Sequence, residues 1–423
     1  MNKLLIIPII SVILVLIDIY VFQAIRVIVR NRSYIWKRII YYGYWMITLF
    51  VLLAFFSYNL IPPEVFPRTV RYLMIIGVTM VYFSKLFSVV FIFLDDLVRF
   101  ARIVFQLFSG VFKFPGNKTA EDDPESTKIT RAQFLAQTAV IAGAIPMVAM
   151  TYGIISGAHD YRVRRLKLSF PILPSSFDGL KIVQIADIHS GSFYNKTAVK
   201  GGVEMVLNEK PDVVFFTGDL VNEETREVND YIHIFDKVKA PLGVFSTTGN
   251  HDYGDYRLWA SVEAKEKNFK DLIEAHRLLG WDLLMNEHRF LEVDGARLAI
   301  IGIENWGTGR FPKYGKLDEA YKGVEESPVK ILLSHDPSHW DAQVRPEYPD
   351  IDLMLAGHTH GFQLGVEAGN LRWSPSQWVY KQWAGLYQED NQYLYVNRGY
   401  GYIGYPGRIG ILPEITVIEL KKG

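Results

Sequence analysis

Asp187 and His189, Asp219, Asn250 with His251 and Asp252, His335, and His358 with His360 follow one another in the second half of the chain. Carboxylate, amide and imidazole donors in this mixture suit borderline or hard divalent cations, and a chain without Cys offers no thiolate to compete. Each group sits in a short segment: Asp187-Ile188-His189, Gly218-Asp219, Gly249-Asn250-His251-Asp252, Ser334-His335-Asp336-Pro337 and Gly357-His358-Thr359-His360. Of the ten His, none precedes residue 159, and His159, His233, His276, His288 and His339 lie in no motif and read as structural.

The elements that must position these residues are short apolar runs at 180–186, 213–217, 243–248, 329–333 and 352–356, each ending where a motif begins. Such runs read as buried strands. In α/β sheets, ligands bind just beyond the strand carboxyl ends, so all five motifs fall where a site is expected. Residues i and i+2 at a strand end point to one side, which lets Asp187 reach the same place as His189, and His358 the same place as His360. Gly218, Gly249, Gly357 and Gly361 permit sharp turns out of the strands.

The five segments together resemble the signature set of the calcineurin-like metallophosphoesterases, over roughly the last 260 residues. The resemblance implies one metal held by Asp187, His189, Asp219 and His360, and a second held by Asp219, Asn250, His335 and His358, with Asp219 bridging. Two divalent ions (Mn, Fe or Zn) in such a site bind a phosphate ester and acidify the water that attacks phosphorus. It further implies that His251 acts on the phosphate rather than on a metal, as transition-state stabiliser or general acid. Asp252, next in sequence, is placed to fix the His251 tautomer. Asn222 stands where the commonest family pattern has a second Asp. Ser334-His335-Asp336-Pro337, the run Tyr395-Val396-Asn397-Arg398-Gly399, and Pro406, Arg408 and Pro413-Glu414-Ile415 are similar to the membrane-linked branch of the family. The implied fold class is α/β: a two-sheet β-sandwich flanked by helices, preceded here by a four-helix transmembrane region.

Equal numbers of basic and acidic side chains, 45 of each, give no charge that calls for nucleic acid. The apolar excess lies in the first third, where stretches at 4–23, 39–61, 72–94 and 132–157 approach the ~20 residues needed to cross a bilayer. The chain thus divides at 1–160, a membrane region with a cytoplasmic loop at 95–131, and 161–423, the phosphoesterase domain. Arg26, Arg30, Arg32, Lys37 and Arg38 crowd the first connection. Arg99, Arg102, Lys113, Lys118, Lys128 and Arg131 crowd the third, and the second has only Arg68 and Arg71. This asymmetry predicts a multi-pass protein of the cell membrane whose catalytic domain is extracytoplasmic. Arg162, Arg164, Arg165 and Lys167 argue the other way unless they form the solvated face of a first strand at 164–170. Asp18 and Lys85 lie at matching depths of spans one and three, and an ion pair between them would relieve the cost of isolated intramembrane charge.

Aromatic residues crowd 371–408: Trp373, Trp378, Tyr380, Trp383, Tyr387, Tyr393, Tyr395, Tyr400, Tyr402 and Tyr405. They read either as cross-strand packing or as an aromatic wall meeting acyl chains, sugars or the membrane interface. The expected activity is hydrolysis of a phosphodiester or pyrophosphate bond in a lipid-linked substrate, with membrane lipids as further partners. The alternatives are a phosphomonoesterase or nucleotidase with a soluble substrate, and a membrane sensor that binds phosphate ligands without turnover.

Overall fold

A computed structural model describes residues 3–62, 65–109, 130–369 and 371–423. The chain forms two compact units, Met1–Thr151 and Tyr152–Gly423. The first is built on helices α1 (Lys3–Ile28), α2 (Tyr34–Leu60), α3 (Arg68–Ser109) and α4 (Arg131–Ile155). All four are long and apolar enough to cross a membrane. The connection expected from residue 95 starts later. After Leu94 the chain stays helical to Ser109, because Leu97, Val98, Phe100, Ile103 and Phe105 continue the apolar pattern and Arg99 pairs with Asp95 one turn away at 2.6 Å. Positions 110–129 of that expected loop lie outside the described residues.

Asp18 and Lys85 form the expected ion pair between α1 and α3. The Asp18 carboxylate is fully buried and has further donors: Thr48 Oγ1 at 3.0 Å and Tyr82 Oη at 2.8 Å. Tyr44 Oη donates to the Asp18 carbonyl at 2.8 Å, and the Lys85 ammonium lies over the Tyr44 and Tyr82 rings. With both carboxylate oxygens served, the desolvation cost is offset, and removal of either charge strands the other. Asp18→Lys and Lys85→Asp are each expected to cut the membrane-inserted yield several-fold, and the double reversal to restore it. Quantitative blotting of membrane fractions checks this, and no rescue would count against the clamp.

In the second unit, β1 (Arg162–Phe170), β2 (Lys181–Ile185), β3 (Val213–Thr217), β4 (Val244–Thr247) and β5 (Asp282–Leu283) belong to one sheet. The second sheet takes β6 (Glu287–Val293), β7 (Ala296–Gly302), β8 (Lys330–Leu333) and β9 (Leu353–Ala356). A separate hairpin, β10 (Val366–Ala368) and β11 (Leu371–Trp373), follows. β12 (Gly385–Glu389) and β13 (Gln392–Val396) complete the second sheet, and β14 (Glu414–Lys422) returns to the first. The six-stranded orders are β1-β14-β2-β3-β4-β5 and β12-β13-β9-β8-β7-β6. The inner strands of each run parallel, except that β14 is antiparallel to β2.

Period-two alternation then fixes the layers. Ile182, Val213, Phe215, Leu298, Ile300, Ile331, Leu333, Leu353 and Leu355 meet between the sheets. Their neighbours Val183, Val214 and Phe216 face outward onto α5 (Lys196–Asn208), α6 (Ile232–Phe235) and α7 (Val262–Leu279). Ala299, Ile301, Leu332 and Met354 face outward on the other side, against Leu317, Ala320, Trp340 and Val344. With both faces buried, the strands are continuous apolar runs rather than alternating ones. The expected α/β sandwich with flanking helices and four preceding apolar helices is thus observed. The basic residues of β1 are consumed locally: Arg165 pairs with Glu209 at 2.5 Å, Lys167 with Glu419 at 3.2 Å, and Arg164 with Glu367.

Candidate metal centre

The carboxyl ends of β2, β3, β4, β8 and β9 bring the five motifs to one place. Asp187, His189 and His360 form one group of converging ligand atoms, and Asp219, His335 and His358 another, each within 4.8 Å. His189 Nε2 lies 3.0 Å from His360 Nε2, and His360 Nε2 lies 3.3 Å from Asp187 Oδ1. In the second group His335 Nε2 is 3.1 Å from Asp219 Oδ2. The same Asp219 oxygen is 3.5 Å from His189 Nε2, so one carboxylate faces both groups. Its other oxygen, Oδ1, accepts the His251 backbone N–H at 2.9 Å.

The backbone is bent to make this possible. Asp187, His189, Asp219, His358 and His360 all adopt left-handed φ values between 47° and 72°. Such conformations cost about 1–3 kcal/mol each for residues with a Cβ and collect where a site over-determines them. Two glycines let the carboxylates in: a Cβ on Gly249 would collide with Asp219 Oδ1, and one on Gly357 with Asp187 Oδ2. The His358 backbone N–H donates to both Asp187 oxygens, at 2.9 and 3.1 Å.

Asn250 fits a metal-ligand role. Its Nδ2 donates to Tyr256 Oη at 2.7 Å, while its buried Oδ1 has no hydrogen-bond partner. An orphaned buried carbonyl oxygen is costly unless something electropositive meets it. His335 Nδ1 donates to the Thr217 carbonyl at 2.7 Å, which sets the tautomer and leaves Nε2 for the site. The residues present therefore suit the group that the donor set implies.

The electrostatics agree. Burial lowers the His189 pKa to about 3, and it also lowers those of His358 and His360, so these imidazoles are neutral and ready to ligate. Burial also acts against a charged His335, but the Asp219 and Asp187 carboxylates outweigh it and push His335 up to about 10. A site that attracts a proton this strongly is one a cation will take over. Metal binding at neutral pH should therefore release a proton, and affinity should weaken as pH falls. Calorimetry in buffers of different ionisation enthalpy reads the proton count directly, and binding without proton release would contradict the assignment.

His251 stands beside the metal groups, its ring 5.1 Å from that of His189. Its Nδ1 donates to the Asn222 carbonyl at 2.8 Å. Asp252 therefore does not fix the His251 tautomer. Its carboxylate accepts four backbone N–H groups instead: Asp219 at 2.9 Å, Leu220 at 2.8 Å, Val221 at 3.3 Å and Gly249 at 2.8 Å. The turn at Asn250–Tyr253 places it underneath the ligand loops, as a brace for two motifs at once. Asn222 is held by Ser192 and Glu227, and contributes its carbonyl to the site rather than its side chain.

Three neighbours carried no motif signal. Tyr380 Oη lies 2.6 Å from His358 Nε2, the Tyr256 ring packs on His251, and Phe311 meets His358 edge-on. Arg408, fully buried, donates to the Gly399 and Gly401 carbonyls and lies 3.0 Å from His360 Nδ1. Tyr380→Phe is expected to weaken metal affinity or activity about 10–100-fold, as loss of a partner that orients a ligand does. Metal titration of the stripped protein measures it.

Residues 180–362 match the family described as calcineurin-like phosphoesterase. Residues 2–158 match a probable calcineurin-like phosphoesterase transmembrane domain. A metallophosphoesterase of Bacillus subtilis, YkuE, is 31% identical over 305 residues, which take in 70% of this chain and 98% of that protein. The chain is a calcineurin-like metallophosphoesterase. A zebrafish transmembrane protein with metallophosphoesterase domain is 30% identical over 67% of this chain and 62% of its own length. The bovine protein of the same description is 28% identical over 69% and 64%. This metallophosphoesterase is thus a membrane-linked, metal-dependent phosphoric ester hydrolase.

Proposed function

We propose that this metallophosphoesterase hydrolyses a phosphodiester or pyrophosphate bond of a lipid-linked substrate with two divalent cations of the Mn, Fe or Zn kind. The observation that carries the reading is the position of Asp219 Oδ2, which faces His335 at 3.1 Å and His189 at 3.5 Å. In this reading Asp187, His189, Asp219 and His360 hold one ion, and Asp219, Asn250, His335 and His358 the other. When bound, the pair supplies Lewis acidity towards phosphate oxygens and brings the pKa of water near neutrality. The chain's own groups do the rest. His251 keeps its Nδ1–H on the Asn222 carbonyl, so as the imidazolium it would give its Nε2 proton to the leaving oxygen and be left as the neutral Nδ1–H tautomer. Asp252 holds the backbone of the Asp219 and Asn250 loops in register.

Two features support a lipid-linked substrate on the extracytoplasmic side. Four apolar helices tether the domain to a bilayer, so bilayer-borne substrates are its nearest neighbours. Basic residues favour the first and third connections, and those of β1, which pointed the other way, are paired with acidic groups of the domain. The test is hydrolysis of bis-p-nitrophenyl phosphate against the monoester by metal-stripped protein refilled with Mn, Fe or Zn, in detergent and in vesicles. Diester preference with vesicle-dependent lipid head-group release supports the reading. Monoester preference indifferent to lipid would replace it with the soluble-substrate alternative. Protease access to the domain in right-side-out vesicles tests the topology.

A further inference from the structure

The β10–β11 hairpin reverses the usual rule for surface strands. Val366 lies opposite Trp373, Glu367 opposite Arg372 and Ala368 opposite Leu371. Opposite residues of an antiparallel pair share a face, so Val366, Ala368, Leu371 and Trp373 form one side, and Glu367 and Arg372 the other. The charged side is the one bound to the domain. Glu367 pairs with Arg398 at 2.6 Å and with Arg164, and Arg372 donates to the Ala384 carbonyl at 2.6 Å. The apolar side is left in the open, with Leu371 59% exposed. A half-buried hairpin ordinarily turns its apolar face inward.

The patch extends towards the metal centre. Trp378 meets Trp373 edge-to-face at 5.9 Å and is itself 73% exposed. Val379 follows, 65% exposed, and then Tyr380, whose hydroxyl touches the candidate ligand His358. A cavity of about 270 Å³ opens at that point, lined by Val379, Tyr380, Lys381, Gln382, Thr308 and Ser338 among others. Surface-exposed Trp, Leu and Val in one contiguous patch are costly in water and mark a contact surface. What covers it is indicated by the rest of the chain: α4 ends at Ile155 and β1 begins at Arg162, so the domain is held at a bilayer by a short connection. Trp378 at the edge of this apolar patch, with Lys381 on the rim of the same cavity as Val379, is the composition that lipid–water interfaces select.

We infer that the outward face of the β10–β11 hairpin, with Trp378 and Val379, inserts into the lipid surface and holds the metal centre at head-group level. This deepens the lipid-linked reading above, but it rests on residues outside the metal centre and can stand if that substrate reading falls. The chain has no Cys, so single cysteines can be placed and labelled without background. A fluorophore at Leu371→Cys in the full chain, in phosphatidylcholine–phosphatidylglycerol nanodiscs, is expected to be quenched by spin-labelled lipid and shielded from iodide. The same label at Asp230→Cys, where the side chain is 78% exposed, should behave oppositely. Adding Trp378→Glu to the Leu371→Cys protein should raise iodide access roughly tenfold, with bis-p-nitrophenyl phosphate hydrolysis retained as proof of an intact centre.

Equal iodide quenching at both positions would overturn the inference, as would a Trp378→Glu protein with unchanged quenching. Shielding from both quenchers with disulfide cross-linking between copies would also overturn it, assigning the face to a second copy. Lipid quenching without hydrolysis of any vesicle lipid would leave the docking standing and remove the lipid substrate instead.

Discussion

Asp219→Asn is expected to take hydrolysis of bis-p-nitrophenyl phosphate down by about 10⁴-fold or more, with the protein still folded. The argument is one of geometry and charge. A single Asp219 oxygen faces His189 of one ligand group and His335 of the other. The substitution removes the negative charge that both groups share. The Lewis acidity that divalent ions contribute is worth several kcal/mol, and each ~1.4 kcal/mol is tenfold in rate. The fold should survive, because an amide oxygen can still accept the His251 backbone N–H and Asp252 still braces the Asp219 and Gly249 N–H groups. Metal content measured beside the rate should fall below two ions per chain. Full activity with two ions would sink the bridging role.

The strands were legible because burial on both faces leaves an unmistakable signal. Val213–Thr217 has five buried residues in a row, and the motif follows at its end. The candidate ligands were legible for the same reason, since chemistry collects at strand termini. The Asp18–Lys85 pair could be read from depth alone, because intramembrane charge has few ways to be satisfied. Asp252 shows where such reasoning stops. Adjacency to His251 suggested a partnership, yet in a tight turn successive side chains diverge, and the carboxylate found four backbone N–H groups instead. Tyr380 was one aromatic among many, and nothing local marks it as the partner of a His 22 residues earlier. The hairpin is the clearest case. Val366-Glu367-Ala368 and Leu371-Arg372-Trp373 alternate like any surface strand, and the sequence does not say which side faces in. Arg398 and Arg164, distant in the chain, decide it by claiming Glu367.

His251→Ala is expected to separate chemistry from metal binding. Its Nδ1 is committed to the Asn222 carbonyl, and its ring lies beside His189 rather than within either ligand group. Metal stoichiometry should therefore stay unchanged while turnover drops by about 10²–10⁴-fold, the range for a lost general acid. The leaving group tells the two possible roles apart. p-Nitrophenolate leaves without protonation, so a general-acid His251 gives a loss near the low end with bis-p-nitrophenyl phosphate and near the high end with an alkyl ester. A loss that is the same for both leaving groups would mean that His251 stabilises charge on the phosphoryl oxygens instead. A loss of bound metal would mean that the imidazole ligates after all, and the ligand assignment would have to be redrawn around it.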